Sequence, residues 1–409
     1  MRTLTGSLAP FQSRIYFSFW LATILSQFGS HTQAMAAAWL MAGITSSPLM
    51  VALVQVASSV PMMAFALLAG TLADAVDKRR LMLFGQCVAF VSSALLATWA
   101  MTATVSPFGL LGFTFIIGVG SAFYVPAWQS SVRDLVPLEQ LTAAVGLNSV
   151  AFNLARFLAP VLGGVLLASS GAKSVFVFNA LSYLGLLYVL LRWDNPKPIS
   201  QVKGAGLLLA MREGLLFAWQ SENLRTILVR CLLVSIITSV FWALMPVIAR
   251  DLLGGGAGIY TALLIAFACG AIAGGLTTSK LRGAFGVQRT SLAVQMLLGV
   301  SLLLLYFTQW LPVVLLVTVI AGHAWITCFI VFNASVQLFS PRWVVGRAIS
   351  VYLMTAYGGL ALGSVLWGSV ARMTGIENTL LLSGVMTLLL CIQSHRSPLK
   401  DAPREMVDS

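Results

Sequence analysis

Apolar residues run in long windows near 15–40, 48–72, 81–101, 108–132, 139–168, 174–192, 226–249, 257–279, 291–308, 312–339, 347–371 and 379–393, separated by short polar or charged stretches. A helix needs roughly 20 consecutive apolar residues to cross the hydrocarbon layer of a bilayer. The pattern therefore predicts an all-α membrane protein with twelve transmembrane helices. The last window is short, and is kept because it restores an even count. The stretch 194–220 collects Pro196, Lys197, Pro198 and Lys203 and then an amphipathic run from Leu207 to Trp219. It reads as a cytoplasmic linker with a helix lying on the membrane surface, between an N-terminal bundle (1–193) and a C-terminal bundle (221–394), with a tail at 395–409.

The two halves echo each other. Gly70 and Gly274, Leu72 and Leu276, Gly118 and Gly322, Pro137 and Pro341, and Gly164 and Gly368 all share one spacing. Two pseudo-symmetric six-helix bundles in parallel orientation are an architecture of transporters.

Composition strengthens the membrane reading: 59% of the residues are hydrophobic and 9% charged, against roughly a quarter charged in soluble domains. The net charge of +12 would suit a nucleic-acid binder only on a folded soluble domain with a basic face, and no stretch is long enough to form one. Its distribution is instead a topology signal. Lysine and arginine concentrate in the loops of one side, leaving Lys173, Arg250 and Arg372 on the other, so both termini are expected in the cytoplasm and the chain in the cell (inner) membrane. The five cysteines lie in apolar runs without metal-ligand or redox spacing, which predicts core residues and no metal or cofactor. No H-E-x-x-H, phosphate loop or G-x-S-x-G occurs, so nothing points to an enzyme.

Between the second and third windows stands Gly70-Thr71-Leu72-Ala73-Asp74-Ala75-Val76-Asp77-Lys78-Arg79-Arg80. A small residue at Gly70 permits close helix approach, and Asp74 suits the positive end of a neighbouring helix. The run resembles the signature loop of the major facilitator superfamily. The resemblance implies that fold and a gate on the cytoplasmic side, in which Asp74 bonds near helix eleven and to an arginine below helix four. Arg133 is the leading candidate for that arginine and Arg347 the second. Ala75 and Asp77 depart from the pattern, and the counterpart loop at Gly274 has lost its acid. The alternative role of Asp74 is balance of the local positive charge.

On the fifth window Gly146, Ala155, Ala159, Pro160, Gly163 and Gly164 resemble the superfamily's antiporter motif, with alanine at two of its glycine positions. It reads either as tight helix packing or as a mark of export. Further runs, among them Arg133-Asp134-Leu135-Val136-Pro137, Phe152-Asn153-Leu154-Ala155-Arg156 and Leu362-Gly363-Ser364-Val365-Leu366-Trp367-Gly368, resemble the bacterial transmembrane secretion effectors, whose relatives include the exporter of the siderophore enterobactin.

A charge near the bilayer centre costs about 2.5–3.5 kcal/mol on insertion scales, so it faces a cavity or a partner. Arg156 shares an arc of roughly 140° with Asn148 and Asn153, and is either a substrate site or a structural hydrogen bond to a neighbouring helix. Arg230 lies about one turn inside its window and is expected to snorkel to the surface. His31 and His323 are the groups within the windows that titrate near neutrality, read as core histidines or as proton carriers. All twelve acids fall in loops, linker or tails. Proton coupling, which the family implies, would therefore rest on the two histidines. Gln27, Gln129 and Asn333 join the candidate substrate contacts, and Trp39, Trp128, Trp242 and Trp325 read either as aromatic lining or, as aromatic residues in membrane helices more often are, as packing or interface anchors. The reading is a monomeric secondary transporter that exports a small amphipathic organic compound by alternating access. Uptake symport and lysolipid flipping on the same fold stand as the alternatives.

Overall fold

A computed structural model describes residues 6–193, 205–341 and 344–399. Every regular element among them is helical. After a 3-10 turn at Gly6–Gln12 come α1 (Arg14–Ile44), α2 (Pro48–Ala75), α3 (Lys78–Thr102), α4 (Pro107–Leu135), α5 (Leu141–Arg192), α6 (Ala205–Gln220), α7 (Glu222–Val247), α8 (Ala257–Phe307), α9 (Leu311–Leu338) and α10 (Val345–Arg396). Capping follows the sequence: Asp77 accepts from the Arg79 amide at 2.9 Å at the start of α3, and Ser106 and Ser221 cap α4 and α7. A π-helical turn, Ile248–Leu252, closes α7.

Eight of the described helices are long and apolar enough to cross a membrane. The number is smaller than the twelve apolar windows because three neighbouring pairs of windows run together and because α1 is not among the eight. Helices α5, α8 and α10 have 52, 51 and 52 residues, about 75 Å at 1.5 Å per residue and more than twice the hydrocarbon thickness. Each is broken by one glycine with positive φ: Gly171 (φ 73°), Gly286 (φ 78°) and Gly375 (φ 85°). The polar gaps expected at 169–173, 280–290 and 372–378 thus narrow to single residues. Gly171 and Gly375 stand at the same spacing as the repeated glycines of the two halves.

The chain forms two compact units, residues 1–40 with 64–210, and 41–63 with 211–409. This differs from a division by sequence halves: the end of α1 and the first part of α2 group with the second unit.

In the first unit, α3 and α4 meet at Gly85 and Gly120, where a methyl on Gly85 would lie 2.5 Å from the Gly120 carbonyl oxygen. Such close approach needs small residues. At one end of the unit Phe19 stacks on Trp128 (ring centroids 5.3 Å apart) and meets Trp193 edge-on at 5.2 Å. Trp128 is buried in this cluster. Deeper in, Gln33, Ser93 and Asn179 from α1, α3 and α5 form a buried polar cluster, with the Asn179 amide donating to Ser93 at 2.9 Å. Buried amides in an apolar span need partners within the protein, and each of these helices supplies one.

In the second unit, Gly359 of α10 lies against α7, where a methyl would come within 2.5 Å of Ser235 Cβ. Trp367 Nε1 donates to the Ile236 carbonyl at 2.9 Å. Gly270 of α8 and Gly322 of α9 each face the backbone of the other helix, at Val319 and Phe267. Gly358 packs on Met63, and Gly368 on Leu49 and Ala52, which fixes the first part of α2 against α10.

The cysteines divide: Cys231, Cys328 and Cys391 are buried, whereas Cys87 and Cys269 are exposed. The expectation of five core cysteines holds for three.

Candidate functional site

The basic loop between α2 and α3 is built from the first unit's own helix ends. Lys78 pairs with Asp134 at 2.7 Å and donates to the Ser130 carbonyl at 3.1 Å. Arg79 donates to the Leu190 and Leu191 carbonyls, at 2.8 and 2.6 Å. These carbonyls stand in the last turn of α5, where the Leu190 oxygen also accepts from the Trp193 amide at 3.4 Å and the helix dipole favours a cation. Arg80 is exposed and lies 3.7 Å from Asp77, and Arg133 is exposed. Gly70 and Asp74 fall within α2, but their side-chain positions lie outside the described residues. Arg347 belongs to the second unit, where its side chain lies against Gly214 of α6. Asp134 was not among the predicted gating residues. Its signal is its place beside Arg133, where a lone acid offsets a basic loop.

The predicted residues of α1 and α5 come together. Gly163 lies against Thr32 and Met35, with a methyl there 3.1 Å from Thr32 and 3.2 Å from the Met35 sulfur. Ala155 and Ala159 are fully buried, Gly164 is buried and Pro160 half-buried. Gly146, in contrast, is exposed and faces open space. This close seam carries His31 to α5, where its ring meets Phe152 edge-on with centroids 5.9 Å apart. The charge of Arg156 acts on the same imidazole. His31 Nε2 is buried and has no hydrogen-bond partner among the described residues. Gln27 stands half-buried one turn before His31 on α1. Phe152 was not predicted, although Asn148, Phe152 and Arg156 stand at i, i+4 and i+8 and so share one helix face.

Other candidates are taken up locally. Asn148 accepts from the Tyr16 hydroxyl at 3.2 Å, and Trp20 Nε1 donates to the Leu147 carbonyl at 3.0 Å. Asn153 is exposed and donates to the Ser149 carbonyl of its own helix at 2.8 Å. Gln129 is exposed. Asn333 accepts from Gln337 on the same helix at 2.6 Å.

In the second unit His323 is joined to Thr277 at 2.9 Å, which links α9 to α8. The same unit holds an aromatic group: Trp242 and Trp325 (5.4 Å), Trp242 and Phe267 (5.2 Å), and Trp325 and Phe329 (4.6 Å). Edge-to-face rings at these distances attract beyond their area burial. Arg230 does not snorkel. It is 3% exposed and donates to Gln288 at 3.1 Å and to the Ser397 carbonyl, because the end of α10 provides acceptors nearer than the surface.

The sequence profile of the transmembrane secretion effectors matches residues 5–409. The multidrug efflux pump Tap of Mycolicibacterium fortuitum is 24% identical over 381 residues, covering 90% of this chain and 92% of its own. The staphyloferrin A transporter of Staphylococcus aureus is 24% identical over 336 residues, covering 81% and 83%. Among solved structures, a bacterial homologue of the human lysosomal transporter Spinster, inward-facing and unoccupied, superposes with a TM-score of 0.74 at 15% identity, covering 96% of this chain and 99% of that one. The match over nearly the whole length, together with the helical architecture, establishes that the chain belongs to the transmembrane secretion effector family, multi-pass membrane transporters of the major facilitator superfamily.

Proposed function

We propose that this transporter exports a small amphipathic organic compound from the cytoplasm across the bacterial inner membrane by alternating access, as a monomer with both termini cytoplasmic. Twelve crossings follow if α1 to α4, α7, α9 and the two parts of each broken helix (α5, α8 and α10) each span once. The observation that carries the reading is the α1–α5 group: a histidine with an unpartnered ring nitrogen, an aromatic ring and a cation in apolar spans. A cation at that depth is kept only for a partner or a cavity. In the second unit, Trp242, Trp325 and Phe329 offer an apolar surface of their own. The α1–α5 group suits an aromatic or amphipathic molecule with an acidic or phenolic group. The relatives named as an efflux pump and a siderophore transporter support export of such a compound.

The acids do not all fall in loops, linker or tails: Asp74, Asp134, Glu222 and Asp251 stand in the end turns of membrane helices and Glu377 beside the Gly375 break, so proton coupling is assigned to His31 or His323. Gating is assigned to Asp74 with Arg133 or Arg347, on the family's pattern. The bonds of Lys78 and Arg79 to Asp134 and to the end of α5 support a braced loop there.

The test is accumulation of fluorescent drugs, siderophores and lysolipids in an exporter-depleted bacterial host carrying the intact chain or Arg156→Ala, with and without a protonophore. Lower accumulation with the intact chain, lost in the variant and abolished by the protonophore, is expected. Higher accumulation would overturn export in favour of uptake.

A further inference from the structure

Where α7 begins and α10 ends, a cavity of about 150 Å³ is lined by Arg225 and Arg230, by the hydroxyl residues Thr226, Ser394 and Ser397, and by the Gln393 amide. Val229 completes the lining, and no acidic residue is part of it among the described residues. Arg230 is 3% and Ser394 1% exposed. Two nitrogens of Arg230 are used, one on Gln288 Oε1 and one on the Ser397 carbonyl. Its Nε has no acceptor among the described residues, and neither does the Ser394 hydroxyl have a partner. Arg230 also makes no ion pair with a described acid. A buried cation is ordinarily neutralised by a counter-charge; among the described residues, one Arg230 donor has no acceptor and its charge has no counter-charge.

The surroundings hold this lining in place. Gln288 of α8 accepts from Arg230 and from the Leu399 amide at 2.8 Å, and donates to the Ser394 carbonyl at 2.9 Å. The turn after α10 is thereby stitched to α7 and α8. Thr226 is oriented by its bond to the Glu222 carbonyl, at 2.9 Å. A guanidinium Nε, a second guanidinium, hydroxyls and an amide converging on a space of this size match a compact oxyanion with several acceptors. Because the cavity lies at helix ends, a phospholipid headgroup and a soluble phosphate both have access to it.

We propose that this pocket binds a phosphate group, which completes the hydrogen bonding of Arg230 and Ser394 and ties the start of α7 to the end of α10. The inference does not depend on the direction of transport.

The experiment uses the full chain, purified and delipidated in a neutral detergent. Its thermal midpoint is followed on titration with inorganic phosphate, with phosphatidylglycerol, and with a neutral glycolipid that carries no phosphate. The intact protein and Lys280→Gln, outside the pocket, should gain about 3 °C or more with a phosphate-bearing probe and less with the glycolipid. The combined variant Arg225→Gln with Ser394→Ala leaves the Arg230 bonds intact and should need about tenfold more probe. Native mass spectrometry should find a phospholipid retained by the intact chain and lost by the variant if the source is a lipid. Response to phosphatidylglycerol alone assigns the site to a headgroup, and response to inorganic phosphate to the free ion. Equal responses in the intact chain and the combined variant, or no gain over the glycolipid, would overturn the proposal.

Discussion

Arg250 Nη1 donates to the Thr45 carbonyl at 3.0 Å and also reaches the Ala42 carbonyl, so one guanidinium closes the end of α1. Asp251 holds the same guanidinium through Nε and Nη2, the latter at 2.9 Å. The carbonyls at a helix end have no intrahelical partner and carry the negative end of the dipole, so a forked cation steadied by a neighbouring carboxylate suits them. The Arg250 side chain is 28% exposed, which trims the value of each bond. Arg250→Ala is expected to lower stability by about 1–2 kcal/mol, Arg250→Lys to recover part of that, and Asp251→Asn to cost less than Arg250→Ala. Denaturant unfolding of the purified protein measures all three. An Arg250→Ala variant as stable as the parent would show that the contact is incidental.

Lys78 and Asp134 pair with side chains 22% and 33% exposed. Partly solvated pairs are worth about 0.2–1 kcal/mol and weaken with salt. A double-mutant cycle of Lys78→Met and Asp134→Asn should return a coupling in that range, diminished in high salt. A coupling of zero would leave only the Ser130 carbonyl as the reason for the position of Lys78.

How far the sequence could be read follows from the range of each signal. The apolar windows are a local property and located the helices, and the polar gaps between them bracket the breaks in α5, α8 and α10; that each break is a single glycine was not read from them. The pairing of residues 41–63 with the second unit was not legible, because no local pattern records which bundle a helix packs against. The same limit governed the sites. Arg156 and His31 stood out because charge and imidazole are rare in spans, and the His31 ring meets Phe152, one turn before Arg156 on the same helix face. Phe152 is chemically ordinary, and only its place on the face of Arg156 marks it. Arg230 was misread because its acceptors, Gln288 and Ser397, lie far along the chain. For Trp128 the sequence left lining and packing open, because an aromatic residue on a core face and one on a cavity face have the same periodicity; its place in the buried cluster is packing.

The seam between α3 and α4 gives a contrast within one pair of helices. A methyl on Gly85 would come 2.5 Å from a backbone oxygen, whereas one on Gly112 meets nothing within 4 Å. Overpacking a close seam costs about 1–3 kcal/mol, and a helical glycine in open space gains from alanine. Gly85→Ala should therefore destabilise by that amount and Gly112→Ala should be neutral or stabilising, by thermal melts of protein in detergent. Equal effects would mean that the two helices separate freely.

The breaks in the long helices allow backbone strain to be measured apart from packing. Gly171 (φ 73°, ψ −177°) and Gly375 (φ 85°, ψ 166°) occupy a region of backbone space open in practice to glycine alone. Neither has an atom within 4 Å of where a methyl would stand, so an alanine there meets no steric neighbour and its cost is conformational. Gly146, on the same helix as Gly171, also faces open space but is helical. Gly171→Ala and Gly375→Ala should each cost about 1–3 kcal/mol, while Gly146→Ala should cost nothing, since alanine is the better helix former. If the chain escaped the strain by straightening α5, residues 169–173 would become regular helix, and hydrogen exchange of their amides would slow. Unfolding free energies for the three variants, read beside exchange at 169–173, separate the two responses. A Gly171→Ala variant with unchanged stability and unchanged exchange would show that the break does not require glycine.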